Sequence, residues 1–204
     1  MRSPNEEATG AGHTPAGGDR IAYADESARS RDRLYVVAAA LVAPGDREGA
    51  LDALRQVPPG RARRFHWRLE REEIRMRMVS TIRALSLRTF AACYCADHPR
   101  WSQRGRVQAL KGLLWALRDQ RVGTLVIETR GRHGDAEDRR TIYHAQRSGH
   151  ADASLGYCFD SPLNPFLWLP DAIAGAVGSA FADGVDRYVD HLGDSRPEIL
   201  DVDP

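Results

Sequence analysis

The stretch of sequence that decides the fold is Arg20–Ser27, which reads R-I-A-Y-A-D-E-S. Its apolar part, Ile21–Ala24, is too short to show a helical period, and a second apolar run, Leu34–Val42, follows soon after it. Short apolar runs bounded by turn residues are typical of buried strands. The pattern therefore predicts a strand over Arg20–Asp25, a turn, and an antiparallel partner strand.

Two adjacent acids, Asp25 and Glu26, end the first apolar run. Neighbouring side chains of a strand point to opposite faces of the sheet, so only one of them can share a face with a given site. A carboxylate at the end of a central strand is costly unless it is solvated, paired or bound to a cation. The residues alone leave two interpretations open, a functional site or a polar turn that closes a hairpin.

The composition predicts a single domain with a substantial core. The chain has 204 residues, of which 42% are hydrophobic and 28% charged, and we expect a disordered leader over 1–19, a folded domain over 20–193 and a C-terminal tail over 194–204. No apolar run reaches the roughly 20 residues that span a bilayer. Three cysteines without a C-x-x-C motif favour reduced thiols in a cytoplasmic protein.

The charge balance does not by itself indicate a nucleic-acid-binding protein. The net charge is +1 and the pI is about 7.8, whereas such domains often have a pI above roughly 9. One basic segment is an exception, since Arg61–Arg68 reads R-A-R-R-F-H-W-R. Guanidinium groups beside aromatic rings can bind phosphates and stack on bases. The alternative is a solvated loop that Phe65 and Trp67 anchor to the core.

The rest of the chain alternates helical and strand patterns. The predicted helices are 46–57, Glu70–Leu85, Trp101–Arg121, Asp135–Ser148 and 168–192, and the further strands are Leu87–Ala96, Thr124–Glu128 and Ser154–Asp160. Early strands followed by alternating helices and strands are typical of an α/β domain with a mixed sheet. We therefore expect a mixed five-stranded sheet flanked by helices, with a helical insertion after the second strand.

Four carboxylates stand where predicted elements end or begin. Asp25, Glu128 and Asp160 close apolar strands, and Asp171 opens the last helix. Carboxylates without histidine or cysteine at zinc spacing favour hard cations such as Mg²⁺ or Mn²⁺. Two such ions about 4 Å apart can stabilise both the attacking and the leaving oxygen of phosphodiester hydrolysis.

Each of these acids also has a structural interpretation. Asp160 could belong to the turn before Ser161, and Asp171 could complement the dipole of its helix. Glu128 has no cap or dipole to serve, although Arg130 or Arg132 could pair with it.

Four motifs occur together in the chain, which are Y-A-D-E-S at Tyr23–Ser27, F-H-W-R at Phe65–Arg68, V-I-E at Val126–Glu128 and L-W-L-P-D-A-I-A-G-A-V at Leu167–Val177. They resemble a bacterial family, the domain of unknown function numbered 3800, which has a ribonuclease-H-like fold. The resemblance covers roughly residues 20–190, and Ala28 stands where the family usually has glycine. It implies that Asp25, Glu128 and Asp171 occupy the positions of ribonuclease-H-like metal ligands.

These observations together predict a two-metal-ion nuclease, or a related phosphodiester hydrolase, that uses Mg²⁺ or Mn²⁺ and acts on a nucleic acid. Asp25, Glu128 and Asp171 would be the catalytic metal ligands, with Glu26, Asp160 or Asp138 at the periphery. The residues predicted to contact substrate are Ser27, Arg64, His66, Arg68 and Ser161. The alternative is a non-catalytic ribonuclease-H-like binding or regulatory module in a defence or mobile-element system.

Overall fold

The computed structural model describes residues 20–57, 64–96 and 101–202, so the predicted leader lies outside the described residues. The strands are β1 (Arg20–Arg29), β2 (Leu34–Val42), β3 (Arg88–Cys95), β4 (Val122–Glu128), β5 (Gly156–Asp160) and β6 (Glu198–Val202). They form one sheet in the order β5-β4-β1-β2-β3-β6. The strands β1, β2 and β3 are antiparallel neighbours, whereas β4 is parallel to β1, β5 to β4 and β6 to β3. The prediction of a mixed α/β sheet is confirmed.

Helices cover both faces of this sheet. They are α1 (Arg47–Arg55), α2 (Glu72–Leu85), α3 (Trp101–Leu117), α4 (Gly131–Arg147), α5 (Trp168–Asp183) and α6 (Arg187–His191). One core lies between the sheet and α1, α2, α5 and α6, and a second lies between the sheet and α3 with α4. The two helices α1 and α2 form the predicted insertion between β2 and β3.

The first strand is longer than the sequence predicts. It continues through Arg29, and its ladder with β2 runs without interruption from Ile21 to Arg29. Asp25 and Glu26 therefore lie in the middle of the strand, and the interpretation of these acids as a hairpin turn is wrong. The ladder persists because every residue of β2 is buried and offers an apolar partner along its whole length. The hairpin turn comes later, at 30–33, where Arg33 has a φ of 50°.

The predicted count of five strands is also wrong, because Glu198–Val202 forms a sixth strand beside β3. This segment lies in the predicted C-terminal tail, and E-I-L-D-V has only three apolar residues. Leu200 and Val202 contact the second core. Gly112 of α3 makes room for this contact, since a Cβ atom there would lie 2.7 Å from Val202 Cγ2.

The last predicted helix is divided in two. Gly184 follows α5 with a left-handed φ of 65°, which ends the helix before α6 begins. The segment Pro165–Asp183 is long and apolar enough to cross a membrane, but most of it is buried inside the domain. It is therefore the central core helix of the first face.

Candidate functional site

The alternation of side chains along β1 separates the two acids. Tyr23 belongs to the core on the α5 face, and Ala22 and Ala24 belong to the core on the α3 face. Asp25 has the same parity as Tyr23 and therefore lies on the α5 face, whereas Glu26 lies on the opposite face. Asp25 is only 8% exposed, and its Oδ1 accepts a hydrogen bond of 2.7 Å from the backbone N–H of Glu26.

Three carboxylates from separate elements meet on the α5 face. Burial raises the pKa of Asp25 well above its usual range, and the negative charges of Glu26, Asp171 and Glu128 raise it further. Burial likewise raises the pKa of Glu128, with Asp171 adding to the effect and Arg64 opposing it. The structure therefore brings Asp25, Glu128 and Asp171 into one electrostatic environment, as the sequence predicts.

Asp171 is fixed by a loop from a distant part of the chain. Its Oδ2 accepts a hydrogen bond of 2.9 Å from the backbone N–H of Trp67 and lies 3.4 Å from His66 Nδ1. The Trp67 ring packs on Gly175, one turn further along α5, where an added Cβ would lie 2.1 Å from Trp67 Cγ. Trp67 thus anchors the loop, as one interpretation of the arginine-rich segment predicts, and the same contact places His66 at the site.

Asp25, Glu128 and Asp171 form an acidic cluster, and His66 and Arg64 place positive charge at its rim. The hydrogen bond with Asp171 raises the pKa of His66 above its usual value, although partial burial opposes this. Arg64 NH1 lies 3.3 Å from Glu128 Oε1. The His66 and Arg64 side chains are 37% and 35% exposed, so both can also reach a solute.

Glu26 is not brought to this site. Its Oε2 lies 2.7 Å from Arg106 NH1 and its Oε1 lies 3.1 Å from Arg130 Nε. Arg106 also makes a double hydrogen bond to Asp138, of 3.0 Å and 2.6 Å. Two of the three residues predicted as peripheral metal ligands, Glu26 and Asp138, are instead members of a buried ion-pair network on the α3 face.

Sequence analysis did not single out Arg106, although a signal was present. Arg106 lies four residues before Leu110 on the buried stripe of α3, and its side chain is 4% exposed. A charged residue on an apolar stripe requires a buried partner of opposite charge. That requirement could have linked Arg106 with Glu26 and Asp138, which have no evident partner in the sequence.

The remaining predicted residues lie near the acidic cluster with their own partners. Asp160 is the register partner of Glu128, but its oxygens accept hydrogen bonds from Ser161 N at 2.6 Å and Asn164 Nδ2 at 2.7 Å. Ser161 is exposed and its Oγ accepts from Leu163 N. Asp160 and Ser161 therefore organise the turn after β5, as the structural interpretation of Asp160 predicts.

Ser27 and Arg68 lie on the side of the acidic cluster that faces the loop at 65–68. Ser27 is half-buried on the same face of β1 as Asp25. Arg68 NH2 donates a hydrogen bond to the carbonyl oxygen of Ala28. Arg68 therefore ties the loop to β1 just beyond the acidic cluster.

The donor chemistry of the acidic cluster fits a hard cation. In the part of the chain that the structure describes, no three His, Cys, Asp or Glu side chains are already arranged around a single ion position. The three acids nevertheless offer only oxygen ligands, which Mg²⁺ and Mn²⁺ prefer. Burial and neighbouring negative charges raise the pKa values of Asp25 and Glu128, and a bound cation would offset both effects.

Comparison of this chain with protein-family models and with curated proteins gives no match.

Proposed function

We propose that this protein is a ribonuclease-H-like, metal-dependent nuclease or related phosphodiester hydrolase. One observation carries the proposal, which is the convergence of Asp25, Glu128 and Asp171 from β1, β4 and α5 on one buried patch. Structural carboxylates are normally paired with cations, and a buried group of like charges lowers stability. Asp25 and Glu128 have raised pKa values, and acids perturbed in this way are characteristic of functional sites.

The strand order supports the ribonuclease-H-like part of the proposal. An antiparallel meander of β1, β2 and β3 is extended on the β1 side by the parallel strands β4 and β5. In this arrangement the acids of β1 and β4 lie on adjacent central strands, and α5 crosses the same face. The four motifs of the family resemblance fall on β1, on the loop at 65–68, on β4 and on the start of α5.

Each residue of the site has a distinct proposed role. Asp25, Glu128 and Asp171 would hold one or two divalent ions, which supply an activated water and stabilise charge on the leaving oxygen. His66, which faces Asp171, would donate a hydrogen bond to a substrate phosphate when protonated. Arg64 would exchange its contact with Glu128 for a contact with the phosphate, since guanidinium groups bind both anions well.

One contact favours the non-catalytic alternative. The Arg64–Glu128 pair already neutralises part of the cluster, as expected of a binding module that does not use metal. The two functions differ in what Mg²⁺ does to this pair. A catalytic site would release Arg64 from Glu128 when the ion binds, whereas a metal-independent module would keep the pair intact.

Calorimetric titration with Mg²⁺ and Mn²⁺ tests the metal site. We expect wild-type protein to bind and to be stabilised by millimolar metal, and Asp25→Asn to lose both responses. Asp52→Asn is the matched control, because Asp52 is 64% exposed and has only a surface contact with Arg55. Equal responses of wild type and Asp25→Asn would contradict the assignment of the site.

A panel of labelled substrates tests the activity. Single-stranded and double-stranded DNA, RNA and an RNA–DNA hybrid would each be incubated with Mn²⁺. We expect cleavage of at least one substrate by wild type and by Asp52→Asn, and none by Asp25→Asn. Cleavage of no substrate by wild type would contradict the nuclease activity and support the non-catalytic module.

A further inference from the structure

A basic cavity lies beside the acidic cluster on the loop side of α5. It has a volume of about 390 Å³, and the charged residues that line it are Arg29, Arg31, Asp32, Arg68, Arg75 and Asp183. Four arginines and two aspartates give this basic pocket an excess of positive charge. Its charge is thus opposite to that of the neighbouring carboxylates.

One stripe of α5 connects the two sites. Asp171, Gly175, Ser179 and Asp183 recur every four residues, so they lie on one side of the helix. Asp171 belongs to the acidic cluster, Gly175 receives the Trp67 ring, and the last two residues contact Arg29. Trp67 thus stands between the sites and contributes to both.

The rise per residue of β1 and of α5 gives the distance between the acidic cluster and the basic pocket. Arg29 follows Asp25 by four residues on β1, which corresponds to about 13 Å at the rise of a strand. Ser179 follows Asp171 by eight residues on α5, which corresponds to about 12 Å at the rise of a helix. Both elements place the basic pocket farther from the acids than a single phosphate group extends, so a phosphate bound there is not the reacting one.

Arg29 is held in place by its surroundings. NH1 contacts Asp183 Oδ2 at 2.6 Å and NH2 contacts Ser179 Oγ at 3.0 Å. Nε is buried and has no hydrogen-bond partner among the described residues. Gly178 leaves the space for this side chain, because a Cβ there would lie 2.8 Å from Arg29 Nε. The fold therefore holds the Arg29 guanidinium in one position at the pocket, where the side chain is 18% exposed.

Two further arginines of the pocket, Arg68 and Arg75, are also oriented by the fold. Arg75 Nε donates to the carbonyl oxygen of Trp67 at 2.8 Å, and its guanidinium carbon lies 5.2 Å from the centre of the Trp67 ring. Arg68 is tied to Ala28. A guanidinium group has five N–H donors, so each of these arginines keeps donors beyond the contacts that hold it.

We infer that the basic pocket is a phosphate-binding site that holds a second, non-reacting phosphate of the substrate. The pocket would bind a phosphate through Arg29, Arg68 and Arg75, and so fix the position of the strand relative to the carboxylates. The assignment of this phosphate to the substrate rests on the proposed function, whereas the anion site itself does not.

Orthophosphate binding without metal tests the anion site separately from nuclease activity. Thermal melting would be followed as phosphate replaces chloride at constant ionic strength, because a ligand of the native state raises its melting temperature. We expect Arg29→Gln and Arg68→Gln each to weaken phosphate binding about tenfold, the scale of one charge-assisted hydrogen bond. Asp183→Asn should act in the opposite direction and tighten binding about two- to fivefold, because it removes an exposed competing charge.

Arg55→Gln is the matched control, since it removes an exposed arginine outside the pocket. Phosphate also stabilises proteins in general by exclusion from their surface, and that effect would be equal in all variants. Equal phosphate responses of wild type, Arg68→Gln, Asp183→Asn and Arg55→Gln would overturn the anion site. The opposite signs for Arg68→Gln and Asp183→Asn keep the test decisive even if Arg29→Gln does not fold.

Competition with short oligonucleotides tests the substrate assignment. An oligonucleotide without terminal phosphates should displace orthophosphate if the pocket takes an internal phosphate, and only its 5′-phosphorylated form should do so if the pocket takes a strand end. If neither competes although orthophosphate binds, the pocket is not part of the substrate site. That result would leave the metal-dependent cleavage test unaffected.

Discussion

Two neighbouring residues of β1, Asp25 and Glu26, are both largely buried carboxylates with opposite surroundings. Glu26 on the α3 face contacts Arg106 and Arg130, which also contact Asp138. Asp25 on the α5 face shares its environment with two further acids, Glu128 and Asp171. The first set pairs two acids with two arginines, and the second concentrates negative charge.

This contrast assigns a structural role to Glu26 and a functional role to its neighbour Asp25. The α3-face network joins β1 to α3 and α4 through buried ion pairs, so its charges are balanced where they lie. Among the residues that the structure describes, no ion pair balances Asp25, whereas Glu128 and Asp171 contact Arg64 and His66 at the rim. An acid that the fold leaves unbalanced is the one expected to recruit a cation.

The largest expected effect is on the balanced network. Arg106→Met should destabilise the protein by about 3–5 kcal/mol, because it leaves buried Glu26 and Asp138 without their main partner. Urea denaturation monitored by circular dichroism would measure the change. Arg88→Met is the control, since Arg88 and Glu198 are both 56% exposed and their pair contributes at most about 1 kcal/mol. A loss at Arg106 no larger than that of the control would remove the distinction between the two faces.

The substitution Asp25→Asn should change the stability of the protein in the opposite direction and raise it. Removing the charge relieves desolvation and repulsion, so we expect the metal-free protein to gain about 1–3 kcal/mol, the scale of an unsatisfied buried polar group. That gain corresponds to roughly 2–4 °C of melting temperature per kcal/mol in a domain of this size. The same variant should lose the stabilisation by Mg²⁺. A destabilised Asp25→Asn that still responds to Mg²⁺ would mean that Asp25 is structural.

The pH dependence of this gain follows from the raised pKa of Asp25. Between the usual pKa of aspartate and the raised value, the folded protein binds more protons than the unfolded chain, so stability falls as the pH rises. Below the usual pKa, near 4, wild type and Asp25→Asn should be equally stable. Their difference in melting temperature should grow as the pH rises above that value. A constant difference across this range would show that charge is not its cause.

The sequence predicted which strands and helix carry the acidic cluster better than it predicted where those elements end. Asp25 and Glu128 could be found because each interrupts an apolar run, and Asp171 because its motif resembles that of the family. The continuation of β1 to Arg29 could not, since S-A-R is weak as a strand and is held there by the fully buried β2. The strand β6 was missed for the same reason, because its pairing with β3 and packing on α3 override a weak local pattern.

Contacts between distant segments were beyond the reach of local patterns. Nothing in F-H-W-R indicates that the Trp67 backbone will bind Asp171, which lies 104 residues away. Nor does any local pattern indicate that Gly175 and Gly178 of α5 accommodate the side chains of Trp67 and Arg29. Sequence therefore located the acids, whereas the fold determined which side chains surround them.

The smallest expected effect concerns His66, at the border between the acidic cluster and its positive rim. Its hydrogen bond with Asp171 raises the pKa of the ring, so it stabilises the fold at low pH and this contribution is lost as the pH rises through the raised pKa. The ring is 37% exposed, so His66→Gln should cost no more than about 1 kcal/mol at pH 5.

A cation bound to Asp171 should compete with the His66 proton and lower the pKa of the ring. Titration of the His66 ring by NMR, with and without Mg²⁺, measures this shift, and Asp171→Asn should abolish it. A ring pKa that Mg²⁺ leaves unchanged in wild type would exclude Asp171 from the metal site and leave the cluster without its α5 ligand.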